Sequence, residues 1–169
     1  MSENDTFKIL YSRQTLMKKV DWISEDDWNT IVSQVPIVSI DLVVLCDDGV
    51  LLGKRENEPA KGEWFVPGGR VQKGETLVEA VDRVGQQELD TEVEIIESLG
   101  SYEHFYETTD VEGSGGKHYL ANGFVVRPES VTFSPDNQHS DLQIFDSDPG
   151  DLHEYTLQYL QDADGLSEF

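Results

Sequence analysis

Residues 67 to 90 combine a glycine turn with charged side chains at regular spacing, and such a combination can bind phosphate groups. The segment reads PGGRVQKGETLVEAVDRVGQQELD. Gly68 and Gly69 allow a turn in which backbone carbonyl and amide groups face a ligand without obstruction by side chains. The turn leads into an expected helix over 75–89, with apolar residues along one face. The charged residues that follow the turn are Glu75, Arg83 and Glu88.

Part of this pattern has a simpler explanation. Glu79 and Arg83 are one helical turn apart, and such pairs stabilise a helix by only a few tenths of a kcal/mol. For these two residues alone we favour a surface ion pair without a functional role. The combination of PGG with Glu75, Arg83 and Glu88 is harder to obtain by chance, so it favours a functional site.

The charge of the chain is strongly one-sided. Acidic residues number 34 against 12 basic ones, for a net charge of −22. Nucleic-acid binding requires Lys and Arg to neutralise phosphates, so this surface argues against a nucleic-acid partner. The acids are spread along the chain, which favours a halophile's protein over an ordinary acidic one. Because salt screens self-repulsion, we expect lower stability in dilute buffer than in molar KCl, and equal melting temperatures would contradict this.

Length and composition suit one folded domain. The chain has 169 residues, of which 37% are hydrophobic, enough to bury a core. We expect residues 1–20 to form an N-terminal extension of uncertain order and 21–169 to form a single domain. No signal sequence or long apolar run is present, which predicts a cytoplasmic protein without a membrane partner. The lone Cys46 excludes an intrachain disulfide and is expected to be a buried, inert thiol.

Strand and helix patterns alternate along the rest of the chain. A helix is expected over 23–35, with Ser24 as its N-cap and Pro36 at its end. A hairpin over 37–55 turns at DDG. The other expected elements are a short strand in GEWFVPGG, strands over 92–107 and 117–128, a short strand at LQIFD and a closing helix over 151–163. Together they predict an α/β (α+β) sandwich. Gly85 costs its helix about 1 kcal/mol, so we expect close packing there.

The opening segment resembles a Nudix box, whose pattern is G-x5-E-x7-R-E-U-x-E-E-x-G-U with U an aliphatic residue. The matching residues are Gly69, Glu75, Arg83 and Glu88, and the departures are Val84, Gly85, Gln87, Asp90 and Thr91. In general Nudix pyrophosphohydrolases, the acids that are missing here hold divalent metals that activate water for attack on phosphorus. The resemblance therefore leaves two outcomes, an inactive protein or a different reaction.

Other segments favour a different reaction. PIVSIDLVV, LLGKRENEPAKGEWFVPGGRVQKGETL, HFY, KHYLANGF and PDNQH together resemble the GDP-mannose mannosyl hydrolases, a Nudix branch with a similarly depleted box. The resemblance runs from about Trp28 to about Phe145. It implies a Nudix-type α/β/α sandwich with a mixed central sheet, and a homodimer.

The resemblance also implies roles for individual residues. One Mg²⁺ or Mn²⁺ ion would be bound by the backbone carbonyl of Gly68, by Glu88 and by Gln138, and His139 would be the general base. Residues implied in substrate binding are Arg55 and Arg70 at the diphosphate, Asp41, His104 and Tyr119 along the substrate site, and Trp28 against the base.

These roles compete with plainer ones. Taken alone, His139 in SPDNQHSD would be read as a solvated loop histidine. The adjoining Gln138 is what favours the catalytic role. His104 and His118 lie in strand patterns, where a histidine is often a structural residue with its hydrogen bonds satisfied. A tryptophan at the helical spacing of Trp28 is more often a core residue. His153 is expected at the surface.

The reaction implied is hydrolysis of GDP-mannose, or a related GDP-hexose, to GDP and free sugar, with inversion at the anomeric carbon. One metal and two arginines suffice to stabilise a departing diphosphate. Two alternatives stay open. One is a pyrophosphohydrolase in which water attacks phosphorus and Gln87 and Glu88 bind the metal. The other is a non-catalytic sugar-nucleotide sensor.

Overall fold

The computed structural model describes residues 22–56, 59–130 and 142–166. The expected extension over 1–20, together with Gln138 and His139, lies outside the described residues. Within those ranges the helices are α1 (Glu25–Gln34), α2 (Leu77–Leu89) and α3 (Glu154–Asp162). The strands are β1 (Ile37–Cys46), β2 (Gly49–Lys54), β3 (Trp64–Phe65), β4 (Gly68–Arg70), β5 (Val93–Tyr106), β6 (Lys117–Pro128) and β7 (Leu142–Phe145). No helix in this part of the chain is both long and apolar enough to cross a membrane.

The strands form one mixed sheet. Its order is β3-β2-β1-β6-β5, with β4 beside β1 and β7 beside β2. β1 and β6 run parallel, with Ile37 opposite Tyr119 and Val44 opposite Val126. The other strand pairs are antiparallel. The long β1 therefore lies at the centre, where its side chains alternate between the two faces of the sheet.

Each face of the sheet is covered by helix. On one face Ala80, Val81 and Val84 of α2 pack against apolar side chains of β1, β2 and β6. On the other face Tyr159 and Leu160 of α3 pack against side chains of β1, β2, β3 and β6, and α1 covers the start of β1. This three-layer arrangement with a mixed central sheet confirms the predicted fold class.

Local sequence signals explain where several elements begin and end. Ser24 is the N-cap of α1, and its hydroxyl accepts a hydrogen bond from the Asp27 amide at 3.2 Å. Val35 is the C-cap and Pro36 follows. The DDG turn joins β1 to β2, as predicted. Since a Cβ on Gly85 would lie 3.0 Å from Val93 Cγ2, the predicted close packing at this glycine is also confirmed.

The two members of the predicted Glu79–Arg83 surface pair each have another hydrogen-bond partner in the structure. Glu79 accepts a hydrogen bond from the Thr76 amide at 2.6 Å and completes a capping box at the start of α2. Because Thr76 takes this N-cap position, the helix begins at Leu77 and not at 75. Leu77 itself is 38% exposed and does not join the buried apolar face. Arg83 turns towards Glu75, eight residues earlier.

The predicted surface position of His153 is also wrong. Its side chain is buried and caps α3, where a ring nitrogen accepts from the Tyr155 amide at 3.1 Å. A hydrogen bond from the His153 amide to the Trp64 carbonyl, 3.2 Å long, ties the start of the helix to β3. This long-range contact outweighs the polar local sequence.

Cys46 is half-buried rather than fully buried. It ends β1 beside Asp47 and Asp48. Burial raises the pKa of its thiol, and the two neighbouring carboxylates raise it further. A thiol with a raised pKa forms little thiolate, which agrees with the predicted inertness.

Candidate active site

A cavity of about 290 Å³ opens on the face of the sheet that also carries α1 and α3. Two predicted arginines and an aromatic residue line it, Arg55, Arg70 and Trp28. Four predicted strand residues line it as well, Asp41, Gly68, His104 and Tyr119. The fold therefore brings together seven of the residues singled out from the sequence, which lie up to 91 positions apart between Trp28 and Tyr119.

Backbone pairing explains why the glycine turn meets Asp41. Asp41 in β1 lies opposite Gly68 in β4. A Cβ at Gly68 would lie 2.7 Å from the Ile40 carbonyl and would also collide with the Asp41 carboxylate. Only glycine permits this close approach, so the turn places its backbone at the floor of the cavity.

The two arginines give the cavity a cationic wall. The Arg55 guanidinium lies 5.4 Å from the centre of the Phe65 ring, and its Nε is buried without a hydrogen-bond partner among the described residues. A buried donor without a partner is costly, so this Nε is available to an acceptor on a ligand. Arg70 lies 5.9 Å from the centre of the Trp28 ring.

Trp28 has both a packing and a lining role. It packs beside Val32 and Ile37, while its ring faces two cations, Arg70 and Lys117, the latter with Nζ at 5.6 Å from the ring centre. The ring therefore forms a flat aromatic edge beside the cationic wall.

A hydrogen-bonded cluster around Asp41 and His104 also borders the cavity. The Tyr159 hydroxyl donates to Asp41 Oδ2 at 2.8 Å and lies 3.3 Å from His104 Nε2. The His104 ring stacks on Tyr155, with centroids 3.9 Å apart and ring planes 5° apart. The Tyr155 hydroxyl exchanges hydrogen bonds with the backbone of Phe105 at 2.9 and 3.0 Å. Helix α3 thus holds the His104 ring from two sides.

Burial sets the charges in this cluster. It raises the pKa of Asp41 to about 6, although the Tyr159 hydrogen bond and the Arg55 charge oppose the rise. Burial lowers the pKa of His104 to about 4, and the nearby His153 lowers it further. At neutral pH the cluster therefore contains an ionised Asp41 and a neutral His104.

On the other face of the sheet, Glu75 and Arg83 brace the glycine turn. Glu75 accepts from Arg83 Nε at 2.6 Å and from the Gln72 amide at 2.8 Å. Arg83 also donates to the carbonyl of Arg70 and to Gln87 Oε1, both at 2.8 Å. These two motif residues thus fix the loop that presents Gly68 and Arg70, and do not line the cavity themselves.

The positions that depart from the box have structural contacts. Val84 is 2% exposed and lies 2.9 Å from where a Cβ on Gly69 would be. Asp90 is the C-cap of α2 in a left-handed conformation. Thr91 is buried, with its hydroxyl 3.2 Å from that of Ser130. In the described ranges, no group of three or more acidic, His or Cys residues is arranged to hold a metal ion.

Two of the predicted metal ligands belong to elements that meet in the structure. Glu88 follows Val84 by one turn of α2, and Val84 contacts the glycine turn that carries the Gly68 carbonyl. Carboxylate and carbonyl oxygens are ligands that Mg²⁺ prefers, so these residue types fit such an ion. The predicted third ligand, Gln138, and the predicted base, His139, lie outside the described residues.

Sequence reasoning missed the aromatic residues of α3 and β5. Tyr159 and Tyr155 hold Asp41 and His104, and Tyr106 lines the cavity. A signal was present, since Tyr155 and Tyr159 are four residues apart and so share one face of the closing helix. The spacing gave no indication that this face covers a site.

Comparison with known families identifies the class. A family model described as NUDIX domain matches residues 36–163. The chain belongs to the Nudix hydrolase family.

Individual relatives are more varied. The chain is 51% identical to the low-salt glycan biosynthesis protein Agl8 of Haloferax volcanii, over 84% of this chain and 91% of that protein. It is 35% identical to an ADP-ribose pyrophosphatase of Methanocaldococcus jannaschii, over 54% of this chain and 50% of that protein. It resembles a MutT NUDIX hydrolase structure from Burkholderia pseudomallei, with a TM-score of 0.58 and 27% identity over 80% of this chain and 98% of that one. The Haloferax relative supports the expected halophilic origin.

Proposed function

We propose that the protein hydrolyses GDP-mannose, or a related GDP-hexose, to GDP and the free sugar by attack of water on the anomeric carbon. The observation that carries this proposal is that one cavity combines two arginines with an acidic and an imidazole side chain. Arg55 and Arg70 form its cationic wall, and the ionised Asp41 and the neutral His104 also line it. The arginines suit a diphosphate, and Asp41 and His104, the sugar-side wall, suit the hydroxyl groups of a sugar.

The arginines stabilise the leaving group in this reaction. Guanidinium groups bond bidentately to phosphate oxygens, and Arg55 has a buried Nε that lacks an acceptor among the described residues. Charge develops on the diphosphate as the bond to carbon breaks, so fixed cations at this wall lower the barrier. In so acidic a chain, these local cations are also needed to attract an anionic substrate.

The remaining roles follow from the resemblance and the chemistry of the donors. A Mg²⁺ or Mn²⁺ ion, held by the Gly68 carbonyl, Glu88 and Gln138, supplies Lewis-acid neutralisation of the diphosphate when bound. His139, with a reference pKa of about 6.5, takes the proton from the attacking water. Attack opposite the leaving group inverts the anomeric centre. The ionised Asp41 offers negative charge to the oxocarbenium-like transition state.

The depleted box agrees with attack at carbon rather than phosphorus. Attack at phosphorus in general Nudix enzymes requires acids that hold several metals beside the phosphate. Here Val84 packs against Gly69, and Gln87 is bonded to Arg83. The name of the Haloferax relative refers to glycan biosynthesis, which agrees with a sugar-containing substrate.

A second candidate is hydrolysis between the phosphates, as in a pyrophosphohydrolase. The relative named ADP-ribose pyrophosphatase favours it, although that match covers only 54% of this chain. This reaction would release GMP and a sugar phosphate in place of GDP and free sugar. A non-catalytic sensor would bind the nucleotide sugar and release neither. We further expect a homodimer, as the resemblance implies.

The deciding experiment is one reaction in ¹⁸O-labelled water with GDP-mannose, Mg²⁺ and molar KCl, followed by mass spectrometry of the products. We expect the label in the mannose. Label in a phosphate would overturn attack at carbon and the assignment of His139 as base. Thermal stabilisation by GDP-mannose without any product would instead indicate the sensor.

A further inference from the structure

Tyr159 lies between the two polar side chains of the sugar-side wall and has one hydroxyl proton to share between them. Its oxygen is 2.8 Å from Asp41 Oδ2 and 3.3 Å from His104 Nε2. A carboxylate can only accept hydrogen bonds, so the proton lies on the shorter contact, towards Asp41. The Tyr159 oxygen is then left with lone pairs facing His104.

This assignment of the proton fixes the tautomer of His104. Two facing lone pairs repel, so Nε2 must carry the ring hydrogen and donate it to the Tyr159 oxygen. A neutral imidazole has one N–H group, which leaves Nδ1 as a bare acceptor. Stacking on Tyr155 at 3.9 Å holds the ring in this orientation.

The wall formed in this way offers only acceptors. His104 Nδ1 and Asp41 Oδ2 are 3.9 Å apart, too far for a hydrogen bond between them. Both atoms accept, so a ligand that fits between or beside them must bring donors. Sugar hydroxyl groups can donate to both atoms, whereas the oxygens of an ionised phosphate only accept.

We propose that Tyr159 is a positioning residue that holds His104 in its Nε2–H tautomer, so that the Asp41–His104 wall selects the hydroxyl-bearing end of the substrate. The identity of that substrate rests on the function proposed above, but the tautomer does not. Tyr159 acts through its two partners and determines which end of a nucleotide sugar this wall accepts.

The first test is the tautomer itself. Nitrogen-15 NMR of the histidine rings in the ligand-free protein distinguishes Nε2–H from Nδ1–H, and a His104→Gln spectrum assigns the signal among the 4 histidines. We expect the Nε2–H form at neutral pH. An Nδ1–H form would overturn the proposal, because Tyr159 would then donate to His104 and the wall would present a donor.

The second test separates the two ends of the substrate. Calorimetry compares GDP with GDP-mannose for the wild-type protein and for Tyr159→Phe. We expect GDP affinity to stay within about twofold, and GDP-mannose affinity and kcat to fall about tenfold, as for a lost hydrogen-bond network. Equal losses for both ligands would indicate a merely structural role and would overturn the proposal.

A matched control removes the hydroxyl of a neighbouring tyrosine, Tyr102, whose ring centroid lies 4.6 Å from that of Tyr159. The Tyr102 hydroxyl also bonds a carboxylate, Asp162 Oδ2 at 2.9 Å, yet Tyr102 does not line the cavity. Tyr102→Phe is expected to leave the His104 tautomer and both affinities unchanged. Should Tyr159→Phe fail to fold, the wild-type tautomer still decides the proposal.

The two proposals fail differently. Label in a phosphate, with His104 in the Nε2–H form, would remove the proposed reaction and leave Tyr159 as the positioning residue. Label in the mannose, with His104 in the Nδ1–H form, would remove the positioning role and leave the reaction.

Discussion

Helices α2 and α3 cover opposite faces of the same sheet and relate to the site in opposite ways. α2 carries the recognisable motif, yet Arg83 braces a loop and Val84 packs against Gly69. α3 carries no motif, yet Tyr159 bonds two residues of the cavity. A motif therefore locates a site, while the reaction depends on which of its positions still face a ligand.

The difference has a physical origin in contact distance along the chain. The bracing contacts of α2 join residues 8 and 13 positions apart, Glu75 to Arg83 and Arg70 to Arg83, so their spacing recurs as a pattern. The contacts of Tyr159 span 118 positions to Asp41 and 55 to His104. No local spacing can encode contacts of that kind.

The largest expected effect tests whether the box can simply be restored. Val84→Glu returns the missing first acid, but places a carboxylate where the side chain is 2% exposed and in contact with Gly69. We expect it to lower the free energy of unfolding by about 4 kcal/mol in urea titrations, because an unpaired charge is buried. Attack at phosphorus should not appear.

The control returns an acid at an exposed position of the same motif. In the wild type, Arg83 Nη1 lies 2.8 Å from the amide oxygen of Gln87, and a glutamate at this position would face the same group. Gln87→Glu should therefore change the free energy of unfolding by less than about 0.5 kcal/mol. A stable Val84→Glu protein that releases GMP from GDP-mannose would show that α2 still carries the chemistry.

A second variant tests the bracing role of the motif. Glu75→Gln removes the charge that faces Arg83, from a side chain only 3% exposed. We expect a loss of about 3 kcal/mol, since breaking a buried pair leaves a charge uncompensated. KM should rise as well, because Arg83 also holds the Arg70 carbonyl.

Glu79→Gln is its matched control. The side chain caps α2 through the Thr76 amide, and a glutamine oxygen can still accept that bond. Its cost should stay below about 1 kcal/mol. Equal losses from the two variants would show that Glu75 does no more than an ordinary cap.

The sequence predicted those parts of the fold and site that depend on short spacings. Ser24, Pro36 and the DDG turn mark element boundaries by their own conformational preferences, and Gly85 indicated close packing. The predictions failed where a distant partner decides. Examples are His153, whose backbone amide bonds the Trp64 carbonyl, and Arg83, which bonds Glu75 eight residues earlier.

A third prediction concerns the α3 side and follows from the lowered pKa of His104, about 4. In the unfolded chain His104 titrates near about 6.5. Its contribution to stability is therefore complete above that pH and is lost as the pH falls from 6.5 towards 4, because protons favour the unfolded state. We expect the wild type to lose about 2 kcal/mol from this source over that range.

Comparison with His104→Gln separates the contribution of His104 to the pH dependence of stability from the contributions of the many carboxylates. Unfolding free energies of both proteins are measured at intervals between pH 4 and 7 in molar KCl. As the pH falls, the unfolding free energy of the wild type should decrease more steeply than that of His104→Gln, by a slope that corresponds to the uptake of up to one extra proton on unfolding. Parallel curves would show that His104 is not held neutral in the folded protein.

The smallest expected effects come from one buried threonine on each side. Thr91 stands where the box has an aliphatic residue, and its hydroxyl makes contacts of 3.2 and 3.3 Å with Ser130. Thr156 of α3 donates to the Trp64 carbonyl at 3.3 Å, which also accepts from the His153 amide. These bonds are long, and the partners keep other contacts or face solvent.

Replacement of either threonine by valine keeps the shape and removes only the hydroxyl. We therefore expect Thr91→Val and Thr156→Val each to cost about 1 kcal/mol or less in urea titrations, with turnover unchanged. Thr91→Val makes the chain match the last position of the box, so unchanged turnover would mean that this departure has no part in the choice of reaction. A change in product from that variant would instead place the choice of reaction at the end of α2, at a residue that does not line the cavity.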